Sequence, residues 1–458
     1  MRPRASHLSM SLSLSTAAVL ALLTASPAAA APGPLADPTA RSARTPVERQ
    51  VLPAGDGWAS ADGGTTGGAA AAPADVHDVD DRAGLLEALA ASGERPKIIR
   101  VHGRIDANTA PDGSALSCAD YAAGTGYDLE QYLQDYDPAT WGRDRDPAGA
   151  QEDARRAAAA NQARTIRWDV PGNTTIVGAG PDSEIRGAAL RINGADNVIL
   201  RNLTFSDAAD CFPAWDPGDG STGAWNSEYD LLQVINGATH VWVDHSEFTD
   251  APNPDSGQPS YFGTPYQVHD GALDVTNGSD LVTISYNRFT DHDKLMLIGS
   301  TDSPTRGDPG RLRVTVHHNV FEDVGQRAPR VRYGQVDVYN NHYVVPEDGS
   351  VPFVYSLGAG IESHLYAEAN AFTLPAGTDP ARLIGRYKGS VVATVDNTVN
   401  GKEVDLRAAY NAAVPESAQL AHDTSWTPTL RTKVHSAQAV PALLARTTGP
   451  VLSTGGNR

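Results

Sequence analysis

Three arginines fall within six residues of the stretch GQRAPRVRYG, Gly325 to Gly334: Arg327, Arg330 and Arg332. The chain around them is acidic, with a formal net charge of −19 over 458 residues. A tight cationic cluster on an acidic protein either pairs with local carboxylates or binds an anion. A guanidinium is a rigid fork of donors that fits a carboxylate, so an anion of that shape suits it. Arg330 and Arg332 share strand parity and can face the same way. Arg327 sits two residues before Pro329, in an extended segment outside that alternation. Upstream, Lys294 closes the run DHDK, and the acidic candidates are Asp230 in SEYD and Asp270 and Asp274 in HDGALD. On one straight strand the last two would face the same side about 13 Å apart, at ~3.3 Å per residue. One ion could not bridge that gap, so the backbone must bend between them, and Gly271 permits the bend.

Composition limits what such a cluster serves. The residues are 40% hydrophobic and 20% charged, as in a globular protein. A net charge of −19 argues against nonspecific nucleic-acid binding. Nothing in the chain has the length and apolarity of a membrane span. Arg2 and Arg4, the apolar run Ala17–Leu23 and the small residues Ala28–Ala31 have the order of a secretory signal, predicted to be cleaved after Ala30. Residues 31–55 read as a flexible linker or pro-segment, ahead of one folded domain at 56–458. Export leads to an oxidising space, where Cys118 and Cys211 could close a long loop; sequence alone does not show that their geometry allows it.

The elements that must hold these residues are short and repetitive. Asp81–Ser92 reads as an amphipathic helix, with Asp81 at its N-cap and Leu85, Leu86 and Leu89 on one face. Pro96–Ile105 reads as a strand, and Tyr127–Ala163 as a polar surface excursion with an Ala-rich helical patch. After Thr165, β-rich segments follow one another: Asn197–Phe205, His240–Phe248, Leu281–Phe289, Arg313–Phe321, Gln335–Tyr343 and Leu365–Phe372. Aligned on the closing aromatic, they step by 43, 41, 32, 22 and 29 residues. Variable steps over a short unit mark a solenoid with insertions on one face. Asn287, Asn319, Asn341 and Asn370 all stand two residues before the closing aromatic. Stacked coils would join them into an amide ladder at roughly 4.8 Å spacing, with asparagine taking the left-handed turn and the aromatics stacking inside.

Several stretches carry a resemblance: VWVDH (Val241–His245), DGALDVTNGSD (Asp270–Asp280), YNRFTDHDKLMLIGS (Tyr286–Ser300), HHNVFED and QRAPRVRYG. With them the chain resembles the large extracellular pectate lyase family, over roughly residues 57–343 and more weakly beyond. The resemblance implies an all-β, single-domain right-handed parallel β-helix with an N-terminal capping helix and long loops forming a substrate groove. It implies a monomer acting on polygalacturonate, which carries a carboxylate on every sugar, and cleaving it by β-elimination. A base would take the C5 proton while the O4 bond leaves. The adjacent carboxylate is already negative, so the enolate-like transition state needs charge neutralisation, which Ca²⁺ with oxygen ligands provides. The resemblance makes Asp230, Asp270 and Asp274 the calcium ligands, Arg327 the base, and Lys294 and Arg332 the partners of substrate carboxylate. Arg330 remains open between structural support and substrate binding. Arginine normally keeps its proton, and the surrounding cations would push against that.

Histidines near the motifs, His245, His269, His292, His317 and His318, could suggest zinc. No HxxxH or CxxC spacing accompanies them, and they read as packing and hydrogen-bonding residues, with His317 and His318 on opposite strand faces. Two other functions are weighed against the lyase. A pectin lyase on methylated polymer would not need the three aspartates or Lys294. A non-catalytic polysaccharide-binding β-helix would not need the setting of Arg327.

Overall fold

The computed structural model describes residues 45–91, 93–422 and 426–453, so the predicted leader at 1–30 lies outside the described residues. Each repeated segment folds as two strands joined by a tight corner, for example Thr239–Asp244 into Glu247–Thr249, and Asp280–Ser285 into Arg288–Lys294. Each of these coils adds a third strand before returning. The result is a parallel β-helix of three sheets, two of ten strands and one of eight. Among the described residues of these three sheets, the one antiparallel pairing is Thr398–Val399 with Lys402–Glu403.

The closing aromatics set the register. Phe205, Phe248, Phe289, Phe321, Tyr343 and Phe372 lie opposite one another on successive coils. Their rings stack inside with centroids 4.9, 5.0, 5.2, 4.8 and 4.5 Å apart. Stacked pairs add about 0.5–1.5 kcal/mol each beyond the area they bury. The asparagine ladder forms beside them. Nδ2 of Asn287 donates to Oδ1 of Asn319 (3.1 Å), Asn319 to Asn341 (3.0 Å) and Asn341 to Asn370 (3.0 Å). It runs one rung further than the repeat predicts, from Asn370 to Asn397 at 3.1 Å. The left-handed residue is not the asparagine but the one before it: Tyr286, His318, Asn340, Ala369 and Asp396 have φ of 50–55°. The corner turns there, which aims the asparagine that follows into the stack.

The N-terminal elements differ in detail from expectation. Helix Arg82–Ala90 is capped by Asp81, which accepts from the Gly84 amide, and it buries Leu85, Ala88 and Leu89 beside the first two strands. The stretch predicted as one strand divides into Lys97–Val101 and Arg104–Asp106, with left-handed Gly103 at the corner between the first and second sheets. Residues 45–55, read as linker, are packed instead. Val47 and Leu52 are buried, and Arg49 donates to the carbonyls of Ala69 and Ala71. Enrichment in Pro and Ala hid those few apolar anchors. The excursion carries its own core: helices Leu129–Asp135 and Ala150–Ile166 bring Tyr132 and Tyr136 against Trp215, Trp225 and Tyr266. Cys118 and Cys211 are bonded, tying this layer to the loop that contains Cys211.

One edge of the helix prepares the site. Connections from the second to the third sheet are long at 207–231, 250–272 and 345–356 but only two or three residues at 295–296 and 327–329. Lys294 and Arg327 stand at those two short corners, at the bottom of a gap between long loops.

Candidate active site

The third sheet supplies the floor. Gln233 pairs in register with Asp274, Leu297 with Arg330, and Arg330 with Gly358. Side chains at these positions point away from the core, because their strand neighbours Val234, Val275, Ile298 and Val331 are fully buried.

Asp230 and Asp274 meet at Gly271. A methyl on Gly271 would lie 2.7 Å from Oδ1 of each carboxylate, so any side chain there must displace them. Oδ1 of Asp230 accepts from the Gly271 amide at 2.6 Å, and Oδ2 accepts from Gln233 Nε2 at 2.7 Å. Oδ1 of Asp274 accepts from the Leu297 amide at 2.8 Å. These direct partners are neutral, although both carboxylates are buried. Burial, and then the charge of Asp270, push the Asp230 carboxyl up to about 7. Burial, and then Asp230 and Asp270, raise Asp274 well above the usual carboxylate range, with the Leu297 amide and Arg327 acting the other way. The three aspartates therefore form one charge-coupled group with Arg327 at its border. The predicted bend at Gly271 is present, and it sets Asp230, rather than Asp270, across from Asp274. Among the described residues no three His, Cys, Asp or Glu side chains are already gathered as a metal cage. The set nevertheless fits a hard cation: its donors are all oxygen, two of the three carboxylates meet across Gly271, and the hydrogen-bond partners of those two are neutral.

Asp270 is held through its main chain. Buried His292 donates from Nε2 to the Asp270 carbonyl at 2.9 Å and contacts Asp250 Oδ1 through Nδ1 at 2.6 Å. Burial opposes charge on His292, but Asp250 outweighs it and raises the imidazole. His269 lies among Asp207, Asp250 and Asp255; burial again opposes, and the carboxylates, Asp250 foremost, push it up to about 10. His317 and His318 do not diverge as strand alternation predicts. His318 takes the left-handed corner, and the two Nδ1 atoms lie 2.8 Å apart in a chain that continues to His435.

The arginines occupy three different settings. Arg327 is left-handed (φ 60°), not extended as predicted, and its carbonyl accepts from the Met296 amide at 2.8 Å. A non-glycine residue in that conformation costs roughly 1–2 kcal/mol, and such residues cluster at functional sites. Its Nε is buried without a hydrogen-bond partner among the described residues. Arg330 lays its guanidinium over the ring of Tyr387, 4.0 Å from the centroid. Burial, and then Arg332, lower its pKa. Arg332 is the most committed: Nε donates to Asp302 Oδ1 at 2.8 Å and Nη1 to the Gly299 carbonyl at 2.7 Å. Asp302 also pairs with Lys388 at 2.7 Å. Two of the three guanidinium nitrogens of Arg332, expected to partner a substrate carboxylate, thus already serve the 299–313 insertion. Lys294 ends its strand opposite Gln326, one coil from Arg327.

Sequence reasoning missed Gln233, Asp302, Tyr387 and the Asp250–His292 pair. Gln233 stands three residues after Asp230 and one register step from Asp274, so the solenoid alignment could have found it. Asp302 lies in an insertion and Tyr387 is 57 residues from Arg330, and no local signal points to either.

Carboxylates and guanidinium groups are arrayed on the outside of a parallel β-helix, at short corners between its long loops. Comparison with known proteins gives the family. A family model described as pectate lyase matches residues 42–123 and 148–450. A pectate lyase of Bacillus subtilis (strain 168) is 42% identical over 394 residues, 85% of this chain and 90% of that protein. A solved pectate lyase bound to a hexasaccharide superposes with a TM-score of 0.83 at 40% identity, covering 88% of this chain and 99% of that one. Another, studied for its substrate specificity and anti β-elimination mechanism, superposes with 0.83 at 39% identity over 88% and 98%. The chain belongs to the pectate lyase family.

Proposed function

We propose that this chain is a secreted, monomeric, calcium-dependent lyase. It cleaves α-1,4-linked polygalacturonate by β-elimination to give 4,5-unsaturated oligogalacturonides. The observation that carries this reading is the meeting of Asp230 and Asp274 across Gly271 with only neutral partners, in electrostatic reach of Arg327. Asp230, Asp270 and Asp274 would hold Ca²⁺. When bound, Ca²⁺ supplies positive charge at the substrate carboxylate and so acidifies the neighbouring C5–H bond. The neutral form of Arg327, at a short corner between long loops, accepts the C5 proton and becomes the guanidinium. The electron pair left on C5 forms the C4–C5 double bond as the C4–O4 bond breaks, and the leaving oxygen takes up a proton. Lys294 meets a substrate carboxylate as a point charge. Arg332 contributes its remaining Nη2 edge, oriented by Asp302 and Gly299. Arg330, stacked on Tyr387, adds positive potential to the floor. The basic, apolar and small-residue order at 1–30 supports export. Product analysis tests the chemistry: mass spectrometry of the digest should show unsaturated non-reducing ends, whereas saturated ends alone would indicate hydrolysis and overturn the proposal.

A further inference from the structure

A cavity of about 420 Å³ opens between the loops 250–272 and 345–356. Asp293 and Gln326, the chain neighbours of Lys294 and Arg327, line it, so it lies next to the proposed cleavage site. The lining divides by chemistry. Pro265, Val351, Pro352 and Val354 form an apolar side, and Val354 is 49% exposed. The rest is Asp, Gln and Ser, and no lysine or arginine lines it among the described residues.

Three of the four carboxylates here, Asp250, Asp255 and Asp293, already have protein partners. Asp293 accepts from Gln267 Nε2 at 2.8 Å and from Gln326 Nε2 at 3.2 Å. Asp255 accepts from the Val268 amide at 2.9 Å and touches His269, and Asp250 is bonded to His292. They therefore orient amides more than they gather a cation. Each held glutamine keeps a second N–H and a carbonyl oxygen for a ligand. Oriented amides facing an apolar wall suit a sugar ring, with its hydroxyl edge and C–H face. A free galacturonate carboxylate would find no lysine or arginine on this lining, and Asp291 and Asp293, which are not ion-paired among the described residues, would repel it at about 1 kcal/mol per charge at 4 Å even in full water screening.

We propose that this cavity is a subsite for an uncharged sugar unit of the polymer, bound beside the cleavage site. The ring's hydroxyls meet Gln267, Gln326 and Asp291, and its C–H face rests on Pro265, Val351 and Val354. The inference rests on the polysaccharide-lyase reading of the adjoining site but is read out without catalysis. Two sources share this chemistry: a methyl-esterified galacturonate in the main chain, and a neutral sugar on a side branch.

The test is calorimetric titration of the full chain in excess chelator. The probes are fully methyl-esterified trigalacturonate, galactotriose and free trigalacturonate. At least one neutral probe should saturate, at least tenfold more tightly than free trigalacturonate. Binding of the first neutral probe alone assigns the cavity to esterified main chain, of the second alone to branches, and of both to either. Ser256→Trp and, separately, Val354→Trp place a bulky ring in the cavity from exposed positions. Each should weaken neutral-probe binding at least tenfold while turnover on unesterified polygalacturonate stays within twofold. The proposal is overturned if neither neutral probe saturates, if free trigalacturonate binds as tightly as they do, or if both variants bind like the parent. Loss of unsaturated product from polygalacturonate would sink the lyase reading instead.

Discussion

Gly271→Ala gives a narrow test of the proposed calcium site. The added methyl would sit 2.7 Å from Oδ1 of both Asp230 and Asp274. An ordinary carbon–oxygen contact needs roughly 0.6 Å more, so both carboxylates must move outward by about that distance. Metal sites tolerate ligand displacements of only about 0.2 Å. Gly271 is not among the residues with positive φ, so alanine adds no backbone strain of that kind. The cost should therefore fall on the ligands. A displaced ligand pair should weaken calcium binding about 10- to 100-fold, or about 1.4–2.7 kcal/mol. The assay is initial rate on polygalacturonate against free Ca²⁺, with a thermal melt in chelator beside it. The half-saturating calcium concentration should rise by that factor while the melt shifts little and the rate at saturating Ca²⁺ largely recovers. An unchanged half-saturation would show that the two carboxylates do not share an ion across Gly271.

Arg327→Lys keeps a charge but not the position of the guanidinium; it should lower kcat roughly 100- to 10,000-fold with KM and the melting curve little changed. Near-parental turnover would assign proton abstraction elsewhere. Asp230 has a folded-state pKa raised from 3.8 to about 7, so between those values the folded chain keeps a proton that the unfolded chain has released. Without calcium, stability should fall as pH rises through that window, by roughly 1.4 kcal/mol per pH unit at most. Denaturant melts of Asp230→Asn should lack that component, making it more stable than the parent at pH 8 but not at pH 4. Asn341→Leu would leave Asn319's backbone and side-chain donors and the Val316 carbonyl without their partner, costing roughly 3 kcal/mol or more in denaturant unfolding.

The solenoid was legible because its coils share one offset. Six closing aromatics and four asparagines, read from the sequence, are the stacked residues of the structure, since each coil must place the same side chain at the same corner. The corner's backbone was less legible. Left-handed positions are filled by Tyr286, His318 and Ala369 as well as by Asn340 and Asp396, because the stack on either side fixes them whatever their propensity. The site divides in the same way. Gly271 was identified as a bend because one strand could not otherwise relate 270 to 274. Its partner across the bend, Asp230, lies a whole coil away and could be placed only by register. The protein partner of Arg332 was not legible, because Asp302 sits in an insertion outside the repeat. The packing of residues 45–55 was hidden for a similar reason: Val47 and Leu52 are single anchors on a polar strap, without a period to reveal them.

The central claim is calcium-supported elimination, and one spectrophotometric measurement meets it directly. Absorbance of the conjugated, unsaturated product is followed on unesterified polygalacturonate, first with calcium, then with excess chelator, then with calcium restored. The account predicts that absorbance rises with calcium, stops in chelator and resumes on restoration. A steady rise in excess chelator, or an equal rate on fully methyl-esterified polymer without calcium, would contradict it.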